Sequence, residues 1–147
     1  MIASGPELPL DPDLPADPTG RSPGVVGAVA VGGFLGAVAR YELGLRWPAR
    51  SGHIPWATFT INTSGAFLLG LVLTVLVRTG RHNHLLRPFF CVGVLGAWTT
   101  MSTFAVESDL LVRAHRAGSA VTYTGLTVAA GIAVAWLGVV IGRWVSP

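Results

Sequence analysis

An apolar run from Phe89 to Val112 has the length of one membrane-spanning helix, but its centre is poorly suited to a continuous helix. That centre, Gly93 to Phe104, contains two glycines followed by four hydroxyl residues, namely Thr99, Thr100, Ser102 and Thr103. Glycine weakens a helix, and Ser and Thr side chains offer the backbone competing hydrogen bonds. In a bilayer, broken backbone is tolerated only where it faces protein, an ion or water. The run therefore predicts a broken helix with a site at the break, and the alternative is a continuous helix whose hydroxyls bond its own carbonyls.

The rest of the chain is equally apolar, with a mean hydropathy of +0.59 and only 12% charged residues. Such values exclude an ordinary soluble domain and predict an all-α membrane protein. Residues 1–23 are rich in proline and acids and are expected to be a disordered tail. Residues 24–147 are expected to form one four-helix transmembrane unit. Its predicted spans are Gly24 to Trp47, Trp56 to Val77, Phe89 to Val112 and Ser119 to Gly142.

The positive charge comes from ten basic residues, all of them arginine, which lie singly between the apolar runs. This spacing indicates loop charges rather than a nucleic-acid surface. Four spans place five arginines on each side of the membrane, so the positive-inside rule favours neither orientation. The two sets are Arg21, Arg78, Arg81, Arg87 and Arg143 against Arg40, Arg46, Arg50, Arg113 and Arg116. We therefore expect a chain that inserts both ways and forms an antiparallel, dual-topology dimer.

Two polar residues in the first half of the chain are candidate site residues. Asn62 lies inside the second span, one turn after Thr58, and a buried amide in lipid needs partners. It is either a hydrogen-bonding link between helices or an N–H donor to a ligand. Arg40 ends a stripe of small residues on the first span. It is either an interfacial arginine that reaches the membrane surface or a cation at the mouth of an anion path.

The second half of the chain adds two polar stripes. Met101, Phe104 and Glu107 share one face of the helix after the break, although Glu107 could also be interfacial. Tyr123 begins a stripe of small and hydroxyl residues on the fourth span. No Ser/His/Asp set, phosphate loop or paired carboxylate is evident, so we expect no catalytic residues and no enzyme.

Two other membrane functions fit the sequence less well. A small dual-topology multidrug exporter would need a carboxylate in the middle of its first helix, where this chain has only Glu42, near the end. A non-transporting membrane assembly subunit would not need the polar stripes and the break.

Three segments in order make the sequence resemble the fluoride-specific ion channels of the Fluc, or CrcB, family along residues 25–143. They are Gly-Gly-x-x-Gly-Ala-x-x-Arg-Tyr at 32–41, Thr-Phe-Thr-Ile-Asn-Thr-Ser-Gly-Ala-Phe-Leu-Leu-Gly at 58–70, and Gly-Val-Leu-Gly-Ala-Trp-Thr-Thr-Met-Ser-Thr-Phe at 93–104. The resemblance implies a passive multi-pass channel of the cell membrane that lets fluoride leave the cell and so relieves fluoride toxicity. It also implies an antiparallel dimer with two pores.

The resemblance further implies roles for individual residues. The backbone carbonyls of Gly96 and Thr99 would hold a structural Na⁺ at the centre of the dimer. Arg40 would lie toward a vestibule. The fluoride pathway would be lined by Asn62, Phe104, Met101, Tyr123, Thr58, Ser102, Thr103 and Glu107.

One position departs from the family pattern. Met101 stands where the third-helix motif has its first Phe, and a thioether lacks the electropositive ring edge that could contact an anion. The chain could form a homodimer with a weaker aromatic site. Alternatively, it is one subunit of a heterodimer with a paralogous partner, or a non-conducting partner subunit.

Overall fold

The computed structural model describes residues 22–79 and 84–146, and in them the chain forms helices with short connections. The helices are α1 (Pro23–Arg46), α2 (Trp56–Arg78), α3 (Leu95–Trp98), α4 (Met101–Arg113) and α5 (Ala117–Val145), with a π-helical segment, Pro88–Val94, directly before α3. Four stretches are long and apolar enough to cross a membrane: α1, α2, Pro88–Arg113 and α5. The four predicted spans are therefore confirmed. Residues 1–21, which hold nearly all of the predicted tail, lie outside the described residues.

Helix α1 begins one residue before the predicted span. Ser22 caps it, because its Oγ accepts a hydrogen bond of 3.4 Å from the backbone N–H of Val25. Pro23 occupies the first turn, where a missing N–H costs nothing and the fixed φ suits a helix. Local capping thus sets the start of α1 at Ser22.

The third span is interrupted after Trp98. Thr99 and Thr100 adopt extended backbone, with ψ angles of 157° and 116°. The hydroxyl of Thr100 then accepts a 3.2 Å hydrogen bond from the N–H of Thr103 and so caps α4. The interruption of the helix falls among the hydroxyl residues rather than at the glycines, and its location at mid-membrane stays a prediction.

Glycines allow α1 to approach the first half of the third span. A Cβ on Gly32 would collide with the carbonyl oxygen of Phe89, and one on Gly36 would collide with that of Val94. From the opposite side, a Cβ on Gly93 would lie 2.9 Å from the carbonyl oxygen of Val29. The small residues predicted on α1 therefore form a backbone-to-backbone contact within the chain.

Helices α2 and α5 run parallel and form the most extensive helix contact in the described structure. Gly70 packs against the carbonyl of Ala135, and Gly138 packs against that of Phe67. This pair and the third span position the residues discussed below. Many large apolar side chains still point outward, including Phe34, Met101, Ile132 and Trp136. Lipid or another protein chain must cover such a surface.

Candidate functional site at the helix break

Asn62 binds the broken backbone of the third span through two reciprocal hydrogen bonds. Its Nδ2 donates to the carbonyl of Thr100 over 3.0 Å, and its Oδ1 accepts from the N–H of Thr100 over 2.8 Å. The side chain thus replaces helical partners that the break removes. The structure bears out the reading of Asn62 as a link between helices. An amide nitrogen carries two hydrogens, however, so the second N–H of Asn62 remains a donor.

The same hydrogen bonds change the surroundings of two backbone carbonyls. In a continuous helix the N–H of Thr100 would donate to the carbonyl of Gly96, and the N–H of Thr103 to that of Thr99. Here the first N–H donates to Asn62 and the second to the hydroxyl of Thr100. The carbonyls of Gly96 and Thr99 therefore lose their helical donors and are available as ligands for a hard cation.

The break faces an open groove of about 510 Å³ between the third span, α2 and α5. Asn62, Gly96 and Thr99 line it together with Met101 and Phe104. Apolar residues of α2 and α5, such as Leu69 and Ile132, form its other walls. The groove thus combines a few polar groups with an apolar surround, which is the usual composition of a selective binding site.

Glu107 is the centre of a second polar cluster. Its two carboxylate oxygens accept hydrogen bonds from the hydroxyls of Thr58 and Tyr123, each over 3.0 Å. Both donors are buried, Tyr123 completely. Glu107 is therefore held inside the helix packing by residues from α2 and α5 and is only partly exposed, which argues against a purely interfacial role. A carboxylate placed there with two hydroxyl donors is an unusual feature of a span.

Phe104 connects the two clusters. Its ring lies 5.2 Å from that of Tyr123 at an angle of 50°. Phe104 is buried and also lines the groove at the break. The predicted residues Asn62, Phe104, Tyr123 and Glu107 thus form one continuous set along the inside of the subunit.

The remaining predicted residues are less enclosed. Ser102 and Thr103 are exposed and lie around the hydroxyl of Thr100, at 3.4 and 2.9 Å. Met101 is 76% exposed in the isolated subunit and projects at the edge of the groove. Arg40 is half-buried on α1 and is not among the residues that line this groove. The structure does not bring Arg40 together with the other candidates within one subunit.

Sequence reasoning missed the central position of Thr100. This residue supplies both backbone groups that Asn62 binds, and its hydroxyl begins α4. The spacing of Thr100 and Thr103 was a usable signal, because a Ser or Thr N-cap accepts from the N–H three residues later. Trp98 was also missed, although its Nε1 donates to the hydroxyl of Ser64 over 3.0 Å and holds α3 against α2.

Comparison with known proteins identifies the relatives of the chain. The sequence model described as CrcB-like protein, camphor resistance, matches residues 27–139. A fluoride-specific ion channel, FluC 2 of Nocardia farcinica, is 38% identical over 84% of this chain and 89% of its own length. FluC 3 of Streptomyces avermitilis is 46% identical over 82% of this chain and 59% of its own length. FluC of Acidobacterium capsulatum is 44% identical over 78% of this chain and 93% of its own length.

The matches cover all four apolar spans, and the same three segments that carry the resemblance lie inside them. Helices of this length and composition, together with these relatives, make the chain a multi-pass protein of the cell membrane. The chain is of an ion-channel type rather than an enzyme. On this evidence, the chain belongs to the CrcB, or FluC, family.

Proposed function

We propose that this chain forms a passive, fluoride-selective channel that exports fluoride and so relieves fluoride toxicity. The single observation that carries the proposal is the arrangement around Asn62, where a helix break, a spare N–H donor and a buried aromatic ring meet on one open groove. The names of the relatives support the choice of fluoride as the ion.

The arrangement suits a small, strongly hydrated anion. Such an ion enters a narrow apolar path only if N–H, O–H and electropositive ring edges replace its water. Asn62 offers an N–H, Ser102 and Thr103 offer hydroxyls, and Phe104 offers a ring edge. Each donor is available at or next to the groove.

Glu107 adds a condition to this path. The hydroxyls of Thr58 and Tyr123 already donate to its carboxylate, so they can donate to a passing anion only after they release it. We propose that an ion moving past Phe104 replaces the carboxylate as the acceptor of these hydroxyls. When no ion is present, the carboxylate of Glu107 accepts hydrogen bonds from both hydroxyls and so keeps these donors oriented.

An incomplete groove favours a dimer. The groove is open on one side, and the large apolar side chains of Met101, Val128 and Ile132 are exposed along it. We propose that a second subunit in inverted orientation covers this face and closes the path. The even distribution of arginines in the sequence supports the inverted arrangement.

The site is also suited to a structural Na⁺ at the break. The Gly96 and Thr99 carbonyls have lost their helical donors, and carbonyl oxygen is a suitable ligand for a hard monovalent cation. Two inverted subunits would present four such oxygens. A bound Na⁺ would contribute a fixed positive charge at the break, and these carbonyls and Asn62 would hold the extended backbone around it.

Fluoride release from liposomes tests the function. The full chain is purified alone, reconstituted with potassium fluoride or chloride inside, and followed with an ion-selective electrode after addition of an ionophore for potassium. Fluoride loss without chloride loss supports a homodimeric channel and shows that Met101 is tolerated. A folded protein that releases no fluoride would instead indicate a partner subunit of a heterodimer. Loss of both ions, or proton-coupled drug uptake, would contradict the proposal.

A further inference from the structure

A second groove follows the groove at the break toward the end of the α2–α5 pair. Leu69 lines the central groove, and Leu73 and Val77 line a second groove of about 300 Å³ farther along α2. On α5, Ile132 lines the central groove, and Val139 and Arg143 line the second. Spacings of four and seven residues keep these side chains on one face of each helix, so both grooves lie on the same side of the pair.

Two arginines line the second groove at its outer end. Arg78 is the last residue of α2, and Arg143 lies in the last turn of α5. The Nε of Arg78 donates to the backbone carbonyl of Ser146 over 3.2 Å, which holds the guanidinium at the helix ends. Both side chains are exposed, and the Nη groups of Arg78 remain available as donors.

No carboxylate balances this pair within residues 22–79 and 84–146. The described carboxylates are Glu42, Glu107 and Asp109. Each of them lies toward the end of a span that runs opposite to α2 and α5, and therefore at the other end of the subunit. Both ion pairs of the described structure, Glu42 with Arg46 and Asp109 with Arg113, are at that other end too. Within the part of the chain that the structure describes, the second groove thus ends in two arginines with no carboxylate beside them.

We propose that Arg78 and Arg143 form an anion-collecting mouth of the ion path. The inference rests on the proposed function. It adds these two arginines to the ion path and places an entrance where α2 and α5 end, neither of which the sequence analysis assigned. Asn62 is about 24 Å from Arg78 along α2, which exceeds the Debye length of about 8 Å at physiological salt. The pair therefore raises the anion concentration at the entrance and does not act on the selective step at Asn62.

The proposed dimer would strengthen this mouth. Arg40 lies near the end of α1, which is the opposite end of the subunit from Arg78 and Arg143. Inversion of the second copy would bring its equivalent arginine to the same side of the membrane. In one chain, Arg40 lies apart from the other candidate residues. In the proposed dimer, the Arg40 of one subunit would lie at the same end as Arg78 and Arg143 of the other.

The dependence of flux on ionic strength tests the proposal. Fluoride release is measured at 10 and 300 mM ionic strength, adjusted with an impermeant salt, from vesicles of neutral phosphatidylcholine. At 10 mM, the R78Q/R143Q variant should release fluoride more slowly than the parent chain by roughly tenfold. At 300 mM the rates should converge to within about twofold, because salt screens the mouth. R78K/R143K, which keeps both charges, should retain the parent rate at both ionic strengths.

The control is Arg46→Gln, which removes an exposed arginine that is already paired with a carboxylate and should leave the rate unchanged. Equal rates for R78Q/R143Q and the parent at 10 mM would overturn the proposal. So would a loss that persists at 300 mM and in the Lys variant, because it would show a structural role. The same rates are then measured in vesicles that also contain phosphatidylglycerol. A difference between R78Q/R143Q and the parent that appears only in those vesicles would show that the arginines bind a lipid headgroup instead. A parent chain that releases no fluoride at either ionic strength would contradict a homodimeric channel, and with it this inference, which needs fluoride flux through the chain alone.

Discussion

The glycines of α5 fall into two groups that look alike in the sequence and differ in the structure. Gly138 and Gly142 lie against α2, where an added Cβ would collide with the carbonyl of Phe67 or come within 2.8 Å of Thr74. At Gly125 and Gly131, the same added carbon has no heavy atom within 4 Å apart from the adjoining backbone of α5 itself. One half of the helix closes a contact within the chain, and the other half borders open grooves. A small residue in a span can therefore either close a helix contact within the chain or leave a groove open.

Gly138→Val should have the largest effect, because the new side chain must displace the backbone of α2. Overpacking of this kind costs about 1–3 kcal/mol, and more where the obstructing atom is a backbone oxygen that cannot rotate away. We expect almost no folded protein in detergent, measured by gel filtration and by thermal unfolding. Gly125→Val is the matched control on the same helix and should give normal yield. Equal yields of both variants would contradict the distinction between glycines packed against α2 and glycines with open space beside them.

Gly131→Leu should separate folding from assembly. The position is half-buried at the groove and has open space around it, so the subunit should keep its thermal stability to within about 1 kcal/mol. The added side chain would occupy the groove that the proposed second subunit covers. Cross-linking in detergent should therefore show a folded monomer, and fluoride release should disappear. A normal dimer with normal flux would show that this groove is not an interface.

Asn62→Asp should nearly abolish flux. The substitution replaces the Nδ2 donor to Thr100 by an acceptor and places a negative charge beside the proposed path. Like charges about 4 Å apart at an effective dielectric of 20 repel by about 4 kcal/mol, which corresponds to a roughly thousandfold slower release. Fluoride release is measured with the electrode on a variant verified as a folded dimer. An unchanged rate would show that Asn62 does not contact the passing ion.

Thr58→Val should have a moderate effect, since it removes one of the two donors to Glu107 and keeps the shape of the side chain. A hydrogen bond to a charged group contributes about 1.5 kcal/mol net, so we expect roughly tenfold slower release and a lower midpoint of thermal unfolding. Thr122→Val changes an exposed threonine of α5 in the same way and should have no effect. Identical behaviour of the two variants would argue against a role for the Glu107 cluster.

Met101→Phe should have the smallest effect. The side chain lies exposed at the edge of the open groove, so a ring fits there without displacing other atoms. If an anion passes this edge, a ring edge would improve the contact by about 0.5 kcal/mol, or about twofold in rate. Full activity appearing only in this variant would indicate that the natural chain needs a partner subunit with an aromatic residue.

Much of the fold could be predicted because the responsible forces act locally along the chain. Each span follows from a run of apolar residues that water excludes, and the starts of α1 and α4 follow from the local caps Ser22 and Thr100. The break was predictable for the same reason, since hydroxyl side chains compete for the backbone groups next to them. The glycines before it, in contrast, proved to be packing positions within a helical segment, because Gly93 lies against α1.

The site was predictable only in part. The residue types of Asn62 and Glu107 marked them as polar groups that need partners in a span. Their actual partners lie far away in sequence, with Thr100 38 positions from Asn62 and Thr58 49 positions from Glu107. Periodicity gives the face of a helix on which a residue lies, but it does not give the rotation of that helix against its neighbour.

The sequence by itself thus determined four apolar spans, an interruption of the third within Gly93–Phe104, and membership of one family through segments within those spans. Only the tertiary structure decided that Asn62 holds the backbone of Thr100, that Glu107 accepts from Thr58 and Tyr123, and which glycines are closed. The physical reason is that burial and capping depend on neighbouring residues, whereas hydrogen bonds between spans depend on how closely helices approach. That approach is set by a few backbone contacts, such as the one between Gly138 and Phe67, whose partners no local pattern identifies.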